Sequence, residues 1–458
     1  MKLRLSNIGI VNQADVELNS ITVITGENNS GKSTIGKVLY SIATVQNMIS
    51  DDSILINKYQ SILNELSGIS RWIRSEEYEK LFDEADYLFN SIMRIFRSNK
   101  VVRPRWWGYK EEYSHLEDLS LEEKFDILDE KIVELNRYVN EFEDESGENE
   151  NLKISIKNLK ERVSRSQDDK ATKILTLDDM LSNEFSGRYT SVNVNSSLSS
   201  IELLEDNGDE VFLHIQNKTI DFEKSKFEVS RNYSEIIYFD DPFLLDEPFA
   251  RYMNPHRQEH GHLGAYKHRR NILAQINKAS RQRNFFEESI QDENIRKIFS
   301  KVLEGEIRRV NGGYIYDNPS FSSEISFDSL SAGMKSFSTI QMLMEYGLLN
   351  NAEYLVLDEP ETHLHPEWQV RFAELIVWIS VHYPIRILVT SHSPYFIEAI
   401  DIFYKKYKKD KNIKFYHSVS ETNLGASNIV EVTDNLEVIF KDMYRPLNYL
   451  EELRDDIE

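Results

Sequence analysis

The feature that most constrains the fold is the segment Gly26–Ser33 (GENNSGKS), which fits the pattern G-x-x-x-x-G-K-[ST]. It lies between a β-branched run, Ile21–Thr25, and a helical pattern that extends from Ser33 to about Thr44. Glycine allows such a loop to wrap closely around a phosphate group, so that backbone N–H groups and the helix N-terminus face the anion. The sequence therefore predicts a strand, a phosphate-binding loop and a helix, and with them an α/β fold.

The same segment predicts the residues that bind a nucleotide. Lys32 would neutralise phosphate oxygens of ATP, and the Ser33 hydroxyl would ligate Mg²⁺. The structural alternative is a glycine-rich turn that happens to precede a helix, but the flanking strand and helix favour nucleotide binding. The predicted nucleotide-binding residues of this segment are Gly26, Asn28, Asn29, Ser30, Gly31, Lys32, Ser33 and Thr34.

Two carboxylates follow an apolar run, Tyr354–Leu357, that is typical of a buried strand. Ligands of parallel sheets lie at the carboxyl ends of the strands, which is where Asp358 and Glu359 stand. Asp358 would complete the Mg²⁺ shell, and Glu359 would orient or deprotonate the attacking water. The alternative is a strand followed by a solvated loop, and the presence of the phosphate-binding loop favours the catalytic interpretation.

Two further segments are candidate phosphate contacts. Ser331 and Gly333 stand at the start of a helical stretch that runs to about Leu349. A helix start of this kind is a second anion site, which suggests the nucleotide of a second subunit, although Ser331 is also an ordinary N-cap. His392 follows the predicted strand Ile385–Thr390 and could bond the γ-phosphate, or it could be a structural histidine.

Composition excludes several classes of protein. Cysteine is absent, which removes disulfides, thiolate zinc sites and cysteine nucleophiles. The sequence contains no run of the roughly 18 apolar residues that a membrane-spanning helix needs, and its N-terminus lacks the apolar region of a signal peptide. We therefore expect a cytoplasmic protein without membrane contact.

Charge argues against long-range attraction to nucleic acid, because 54 basic and 77 acidic residues give a net charge of −23. The segment Arg251–Arg283 runs against this trend with eight Lys/Arg and one acidic residue, and four histidines interleave there. It could be a solvated basic face or a contact for DNA, RNA or an acidic partner. Arg94–Lys110 is also basic, and we expect its Trp106 and Trp107 to pack in a core or an interface.

Periodicity divides the chain into five parts. Residues 1–45 form an N-terminal lobe, whose Leu3, Leu5 and Ile8 predict an edge strand. Residues 46–185 form a helical insertion with a short αα-hairpin around the acidic turn 144–150. Residues 186–312 are β-rich with a basic helical stretch, and Asn207-Gly208 predicts a hairpin there. A C-terminal lobe covers 313–400, and residues 401–458 form an extension.

In this order the motifs resemble those of an ABC-type ATPase head, with Walker A at 26–33, a signature at 330–334, Walker B at 354–359 and a switch histidine at 392. The continuation Glu359–Pro366 (EPETHLHP) is similar to the SMC, RecF and OLD group of ATPases. The chain's size resembles that of ATPase subunits of two-component antiphage systems such as PARIS and Septu. The resemblance implies an α/β fold, an ABC-type P-loop ATPase head with an antiparallel β subdomain and an inserted helical subdomain.

The resemblance also implies head-to-tail homodimers or higher oligomers, with two ATP molecules between heads. Each ATP would meet the first chain through the residues Lys32, Ser33, Asp358, Glu359 and His392, and the second chain through Ser331 and Gly333. Ala332 and Met334 stand where the family usually has Gly and Gln, so we expect slow hydrolysis. The Q-loop glutamine has no clear position in the sequence.

The function that this resemblance implies is control of a separate effector, a nuclease or a toxin, in antiphage defence. Only 66 residues follow His392, and they contain no D-x-D pair, so we expect no nuclease within the chain. The alternative is a RecF- or SMC-like ATP-dependent DNA clamp in repair or chromosome maintenance, whereas the long insertion argues against a transporter ATPase. His363 and His365 could bind a metal, but Pro366 predicts a helix start that places them in a loop.

Overall fold

The computed structural model describes most of the chain. The described residues are 1–48, 53–70, 73, 76–96, 116, 119–143, 155–157, 159–160, 163, 169–191, 198–229, 235–246, 267–282, 293–300, 302–310, 313–407, 412–420 and 426–455. Trp106, Trp107, the acidic turn 144–150 and residues 251–266 of the basic segment lie outside these ranges. The predictions made for them stay predictions.

The described residues form strands β1 (Lys2–Ile8), β2 (Val11–Glu17), β3 (Ile21–Thr25), β4 (Leu198–Leu204), β5 (Glu210–Gln216), β6 (Thr219–Ile220), β7 (Lys226–Glu228), β8 (Glu235–Phe239), β9 (Glu306–Val310), β10 (Gly313–Asp317), β11 (Ile325–Ser326), β12 (Ala352–Asp358), β13 (Arg386–Ser391), β14 (Ile413–Ser420) and β15 (Ser427–Glu431). The α-helices are α1 (Lys32–Met48), α2 (Ser53–Ser70), α3 (Glu76–Phe96), α4 (Leu121–Glu143), α5 (Asp169–Glu184), α6 (Lys267–Gln282), α7 (Glu293–Ser300), α8 (Ala332–Glu345), α9 (Leu348–Asn351), α10 (Pro366–His382), α11 (Pro394–Tyr407), α12 (Glu437–Met443) and α13 (Arg445–Asp455).

One large mixed sheet carries the predicted motifs. Its strand order is β6-β5-β4-β1-β2-β15-β14-β3-β13-β12-β8, with β7 paired to β5. The strands β14, β3, β13, β12 and β8 run parallel to one another, so their carboxyl ends lie at one edge. That edge receives the loop after β3, the carboxylates after β12 and the histidine after β13. The predicted fold class is confirmed.

The other end of this sheet is antiparallel. The hairpin predicted at Asn207-Gly208 joins β4 and β5, with Leu204 opposite Glu210, and Gly208 adopts the positive φ of 93° that such a turn requires. The prediction of an edge strand at the N-terminus is wrong, because β1 lies between β2 and β4. Its pairing with β4 joins residues about 200 positions apart, which local periodicity cannot detect.

Two compact units make up the described chain. One contains residues 1–47 and 180–458, and the other contains residues 48–179. The first unit has its main core between the parallel strands and helices that include α8, α10 and α11, with Phe337, Phe372 and Phe396 fully buried. The second unit is helical, and its core includes Leu66, Leu88 and Leu135. The long helices of this second unit, α2–α4, have the 3.6-residue apolar period.

Candidate functional site

The loop after β3 is built around two glycines that other residues could not replace. Gly26 has a φ of 147° and Gly31 a φ of 85°, in the region that favours glycine. A Cβ at Gly31 would lie 2.5 Å from Cγ2 of Val11. Lys32, at the start of α1, is only 3% exposed, and its Nζ donates to the carbonyls of Gly26 at 3.0 Å and Glu27 at 2.8 Å. The lysine therefore folds back over its own loop.

Two serines that the sequence analysis missed support the loop from neighbouring strands. Ser418 on β14 and Ser427 on β15 both donate hydrogen bonds of 2.6 Å to the Ser30 carbonyl. All three residues are buried. Because the peptide is trans, the N–H of Gly31 points away from these serines. The residues after 400 thus contribute strands to the sheet of the phosphate-binding loop.

Asp358 lies at the carboxyl end of β12 and accepts three hydroxyl groups. Ser33 donates to its Oδ1 at 2.9 Å, Thr390 donates to the same oxygen at 2.5 Å, and Tyr238 donates to Oδ2 at 2.9 Å. Burial and the adjacent Asp358 charge raise the pKa of Tyr238 well above its usual value. The cluster presents hydroxyl and carboxylate oxygens, the donor set that Mg²⁺ prefers, so Ser33 and Asp358 fit the predicted metal role.

Glu359 adopts a φ of 50°, which a non-glycine residue rarely takes. Its backbone N–H donates to the carbonyl of Thr390 at 3.2 Å and to its hydroxyl at 3.0 Å, which holds this turn. The carboxylate lies 3.1 Å from Lys32 Nζ and 3.5 Å from His392 Nδ1. Hydrogen bonding with His392 and the charge of Lys32 lower the pKa of Glu359 to about 2, and the same hydrogen bond raises the pKa of His392.

A second glutamate, Glu361, contacts Ser391 and His392 and was not predicted as a site residue from the sequence. It is 1% exposed, and its Oε1 accepts from the Ser391 hydroxyl at 2.6 Å and from the His392 backbone N–H at 3.1 Å. Burial raises the pKa of Glu361. The backbone of His392 is therefore anchored to the turn that follows Asp358 and Glu359.

Ser331 and Gly333 make their contacts at the start of α8. Ser331 is the N-cap of α8, and its hydroxyl accepts from the Met334 N–H at 3.4 Å. A Cβ at Gly333 would lie 2.6 Å from Cε3 of Trp368, so the helix start packs closely on α10. Among the described residues, no hydrogen bond or ion pair joins Ser331 or Gly333 to the loop Gly26–Ser33 of the same chain. Hydrogen bonds and ion pairs instead join the predicted site residues Lys32, Ser33, Asp358, Glu359 and His392.

The two histidines after Glu359, His363 and His365, lie in a loop and at a helix N-cap. His365 is the N-cap of α10, where its Nδ1 accepts from the Glu367 N–H at 3.4 Å, and Pro366 begins the helix as predicted. His363 has a φ of 70° and lies with its ring 6.1 Å from that of Phe243. Within the part of the chain that the structure describes, no group of three or more His, Asp and Glu side chains could hold a metal ion.

The described part of the basic segment forms α6, and some of its polar side chains are used inside the fold. Arg269 lies 2.8 Å from Asp240 and 3.1 Å from Asp241. His268 is fully buried between Glu184 and Asp240. Burial opposes the charged form of Asp240, but His268 and Arg269 outweigh it and lower the pKa of Asp240 to about 2. Both side chains therefore pair with carboxylates of the same chain.

Comparisons with known proteins agree with the motifs. Residues 205–398 match the family described as "AAA domain, putative AbiEii toxin, Type IV TA system". A stretch of 97 residues is 31% identical to the Septu protein PtuA of Bacillus thuringiensis, and it covers 18% of this chain and 23% of the length of that protein. The resemblance predicted from the motifs is confirmed. The matched AAA region contains Asp358, Glu359 and His392, whereas the loop Gly26–Ser33 lies far upstream in the sequence.

The chain also has similarity to solved structures of SMC heads. The SMC head domain from Thermotoga maritima has 12% identity and a TM-score of 0.36, and the match covers 94% of this chain and 98% of that one. An SMC head domain with a coiled coil and joint from Pyrococcus yayanosii has 14% identity and a TM-score of 0.35, and the match covers 97% of this chain and 99% of that one.

None of the described helices combines the length and the apolar character that a membrane span requires.

Proposed function

We propose that this chain is an ATPase that binds ATP with Mg²⁺ at the carboxyl edge of its parallel strands and hydrolyses ATP slowly. The observation that carries the proposal is the convergence of Lys32, Asp358, Glu359 and His392, which come from the start of α1, the end of β12 and the end of β13. Ser33 joins them through its bond to Asp358. Mg²⁺ held by Ser33 and Asp358 would neutralise phosphate charge.

Each side chain has a role that follows from its contacts. Lys32 now pairs with Glu359 and with two loop carbonyls, and phosphate oxygens would compete for it. When Lys32 turns to phosphate, Glu359 loses a cationic neighbour, so its pKa rises and its carboxylate becomes a better acceptor for a proton from water. His392 pairs with Glu359 at 3.5 Å, so it would orient that carboxylate and contact the γ-phosphate.

Within the described part of the chain, Ser331 and Gly333 form no hydrogen bond or ion pair with the phosphate-binding loop, and this supports head-to-tail pairing of two chains in the proposal. Ser331 caps a 14-residue helix, whose N-terminal N–H groups favour an anion. In a head-to-tail pair, Ser331 and Gly333 of one chain would meet the phosphates held by Lys32 and Ser33 of the other. ATP would then act as a ligand that favours the paired state, and hydrolysis of ATP would allow the two chains to separate.

The proposed biological role is control of a separate effector, a nuclease or toxin, in antiphage defence. It is supported by the similarity of part of the chain to the Septu protein PtuA and of residues 205–398 to the AbiEii-type AAA domain. The ATP-dependent DNA clamp is the competing function.

Calorimetry with ATP and Mg²⁺ tests the nucleotide site. Lys32→Ala should weaken ATP binding roughly 10- to 100-fold, which corresponds to the loss of a hydrogen bond to a charged group. Lys37→Ala is the matched control, because Lys37 lies on the same helix with its Nζ over the Phe185 ring. Unchanged affinity in Lys32→Ala would contradict the nucleotide-binding role of the loop.

Glu359→Gln tests hydrolysis and the paired state together. The variant should keep ATP binding, since Lys32 and the loop remain, but lose turnover by roughly 100-fold or more, because the amide cannot accept the proton. It should also accumulate as paired chains in ATP and Mg²⁺, which native mass spectrometry detects. Undiminished turnover would remove Glu359 from the mechanism.

The effector role is tested with tagged Glu359→Gln expressed with its flanking genes and purified in ATP and Mg²⁺. A stable complex that contains a nuclease-like or toxin-like neighbour, with defined stoichiometry, would support the proposal. A bare dimer that carries DNA, with an affinity that falls steeply with salt and requires ATP, would favour the clamp instead.

A further inference from the structure

Tyr238 is a contact of Asp358 to which the proposed nucleotide site gives no role. It lies on β8, paired with Val356 of the neighbouring strand β12, and its side chain is 1% exposed. Its hydroxyl donates to Asp358 Oδ2 at 2.9 Å, whereas Ser33 and Thr390 donate to Oδ1. Tyr238 is thus the one described residue with a hydrogen bond to Oδ2.

The first helix leaves room for this hydroxyl. Gly36 lies within α1, where glycine lowers helix stability by about 1 kcal/mol relative to alanine. A Cβ at Gly36 would lie 2.8 Å from Val356 Cγ1 and 3.3 Å from the Tyr238 hydroxyl oxygen. A glycine at this helical position therefore leaves the space that the Tyr238 hydroxyl occupies beside Asp358.

The Tyr238 ring packs against two buried aromatic side chains, His268 and Tyr40. The His268 ring lies 4.2 Å from it with an interplanar angle of 35°, and the Tyr40 ring meets it edge-on at 6.0 Å. Two carboxylates lie close to the His268 ring, with Glu184 Oε2 2.5 Å from Nδ1 and Asp240 Oδ2 3.1 Å from Nε2. The His268 backbone N–H also donates to Glu184, at 3.0 Å.

This arrangement restricts the hydroxyl to one direction. The hydroxyl oxygen lies on the axis about which the ring can flip, so it moves only if the whole side chain swings, and the His268 and Tyr40 rings oppose that swing. A hydroxyl so held is preorganised toward Asp358. In the proposed nucleotide complex, Ser33 would exchange its bond to Asp358 for Mg²⁺. Thr390 and Tyr238 would then be the remaining described groups that orient the carboxylate.

We propose that Tyr238 is a positioning residue for Asp358, whose hydroxyl keeps the carboxylate in the orientation that receives Mg²⁺. This inference rests on the proposed function, because it requires Asp358 to be the Mg²⁺ ligand. It assigns to β8 a share in the nucleotide site that no motif in the sequence marks. It also connects Asp358 with α5 and α6, which carry Glu184 and His268.

The test measures ATP affinity by calorimetry with Mg²⁺ and with EDTA, and takes the ratio of the two dissociation constants as the Mg²⁺ enhancement. Tyr238→Phe should reduce the enhancement roughly tenfold, the size of effect typical for residues that orient a metal ligand. Its affinity for ATP in EDTA should stay within about twofold of the wild type. Phenylalanine preserves the ring and its packing, so we expect the variant to fold.

Tyr40→Phe is the matched control, because Tyr40 is equally buried in the same ring cluster and its hydroxyl does not reach Asp358 in the described structure. It should leave the Mg²⁺ enhancement unchanged, even if its melting temperature falls as much as that of Tyr238→Phe. In an Asp358→Asn background, Tyr238→Phe should have no further effect, since the residue acts through Asp358.

The outcomes separate the two proposals. If the wild type binds ATP with a clear Mg²⁺ enhancement but Tyr238→Phe behaves as Tyr40→Phe does, the positioning role is overturned and the nucleotide site stands. The same holds if the effect of Tyr238→Phe persists in Asp358→Asn. If the wild type shows no ATP binding, or none that depends on Mg²⁺, the proposed function fails at its metal site and the inference fails with it.

Discussion

Substituting Ser418 and Ser427 by alanine, singly and together, should destabilise the protein in a non-additive way. Both hydroxyls donate to the Ser30 carbonyl at 2.6 Å, and all three residues are buried. A neutral hydrogen bond contributes about 1 kcal/mol net, whereas a buried carbonyl left without any donor costs about 1 to 3 kcal/mol. In each single variant the carbonyl keeps one donor, and in the double variant it keeps neither.

The expected costs follow from this count. Each single substitution should lower the free energy of unfolding by about 1 kcal/mol, and the double substitution by about 3 to 4 kcal/mol. The double cost would exceed the sum of the single costs by about 1 to 2 kcal/mol, which is the coupling energy expected of residues that share a partner. The double variant should also bind ATP more weakly, because the Ser30–Gly31 peptide would no longer be held with its N–H turned away from β14 and β15.

Urea unfolding at constant pH, without nucleotide, gives the three free energies, and calorimetry gives the affinity for ATP. Ser380→Ala is the control partner, because its buried hydroxyl donates to the Val377 carbonyl at 2.7 Å and shares no acceptor with Ser418. Ser418→Ala combined with Ser380→Ala should be additive within about 0.5 kcal/mol. If the unfolding free-energy changes of Ser418→Ala and Ser427→Ala were also additive within about 0.5 kcal/mol, the shared-acceptor argument would be refuted.

Four further predictions concern stability and pH. Gly333→Ala should destabilise the protein by about 1 to 2 kcal/mol in urea unfolding, since overpacking against the indole ring exceeds the gain in helix propensity, and a stabilised variant would contradict the packing. Because the pKa of Glu359 is lowered from 4.5 to about 2, the stability that its charge contributes is present above pH 4.5 and lost as the pH falls toward 2, so the stability difference between wild type and Glu359→Gln should shrink across that range. The pKa of His392 is raised above 6.5, so its contribution is complete below pH 6.5 and lost as the pH rises through the folded-state value, and a His392→Gln variant should show a flatter profile there. Lys335→Met should cost about 2 kcal/mol or more, because it leaves the Asp246 carboxylate, now 2.6 Å from Lys335 Nζ, without that cation, and an unchanged urea midpoint would show that the pair contributes nothing.

Much of the candidate site could be predicted because its signals are local. The spacing within Gly26–Ser33 requires a strand before it and a helix after it, and β3 and α1 occupy those places. An apolar run ending in Asp358 and Glu359 predicts a strand that delivers two carboxylates, and β12 does so. Pro366 predicts the start of a helix, and α10 begins there. Each of these predictions depends on neighbours within a few residues along the chain.

The supporting residues could not be predicted, because single serines, threonines and tyrosines carry no pattern. Thr390 reaches Asp358 because β13 pairs with β12, and Ser418 reaches Ser30 because β14 pairs with β3. No local pattern predicts strands within residues 401–458, where β14 and β15 lie. Leu3, Leu5 and Ile8 predict an edge strand, since nothing local indicates that β1 pairs with β4.

The sequence by itself determined which reactive groups this protein presents and which local elements carry them. The glycine-rich loop, Lys32 and the two carboxylates after an apolar strand can each be recognised from a few consecutive residues. The tertiary structure decided which distant groups meet them, namely Tyr238 at Asp358, His392 at Glu359, and the serines at the loop. The reason is physical: strand pairing is set by the burial of whole faces across hundreds of residues, and hydrogen bonds form only where that burial brings donors and acceptors together.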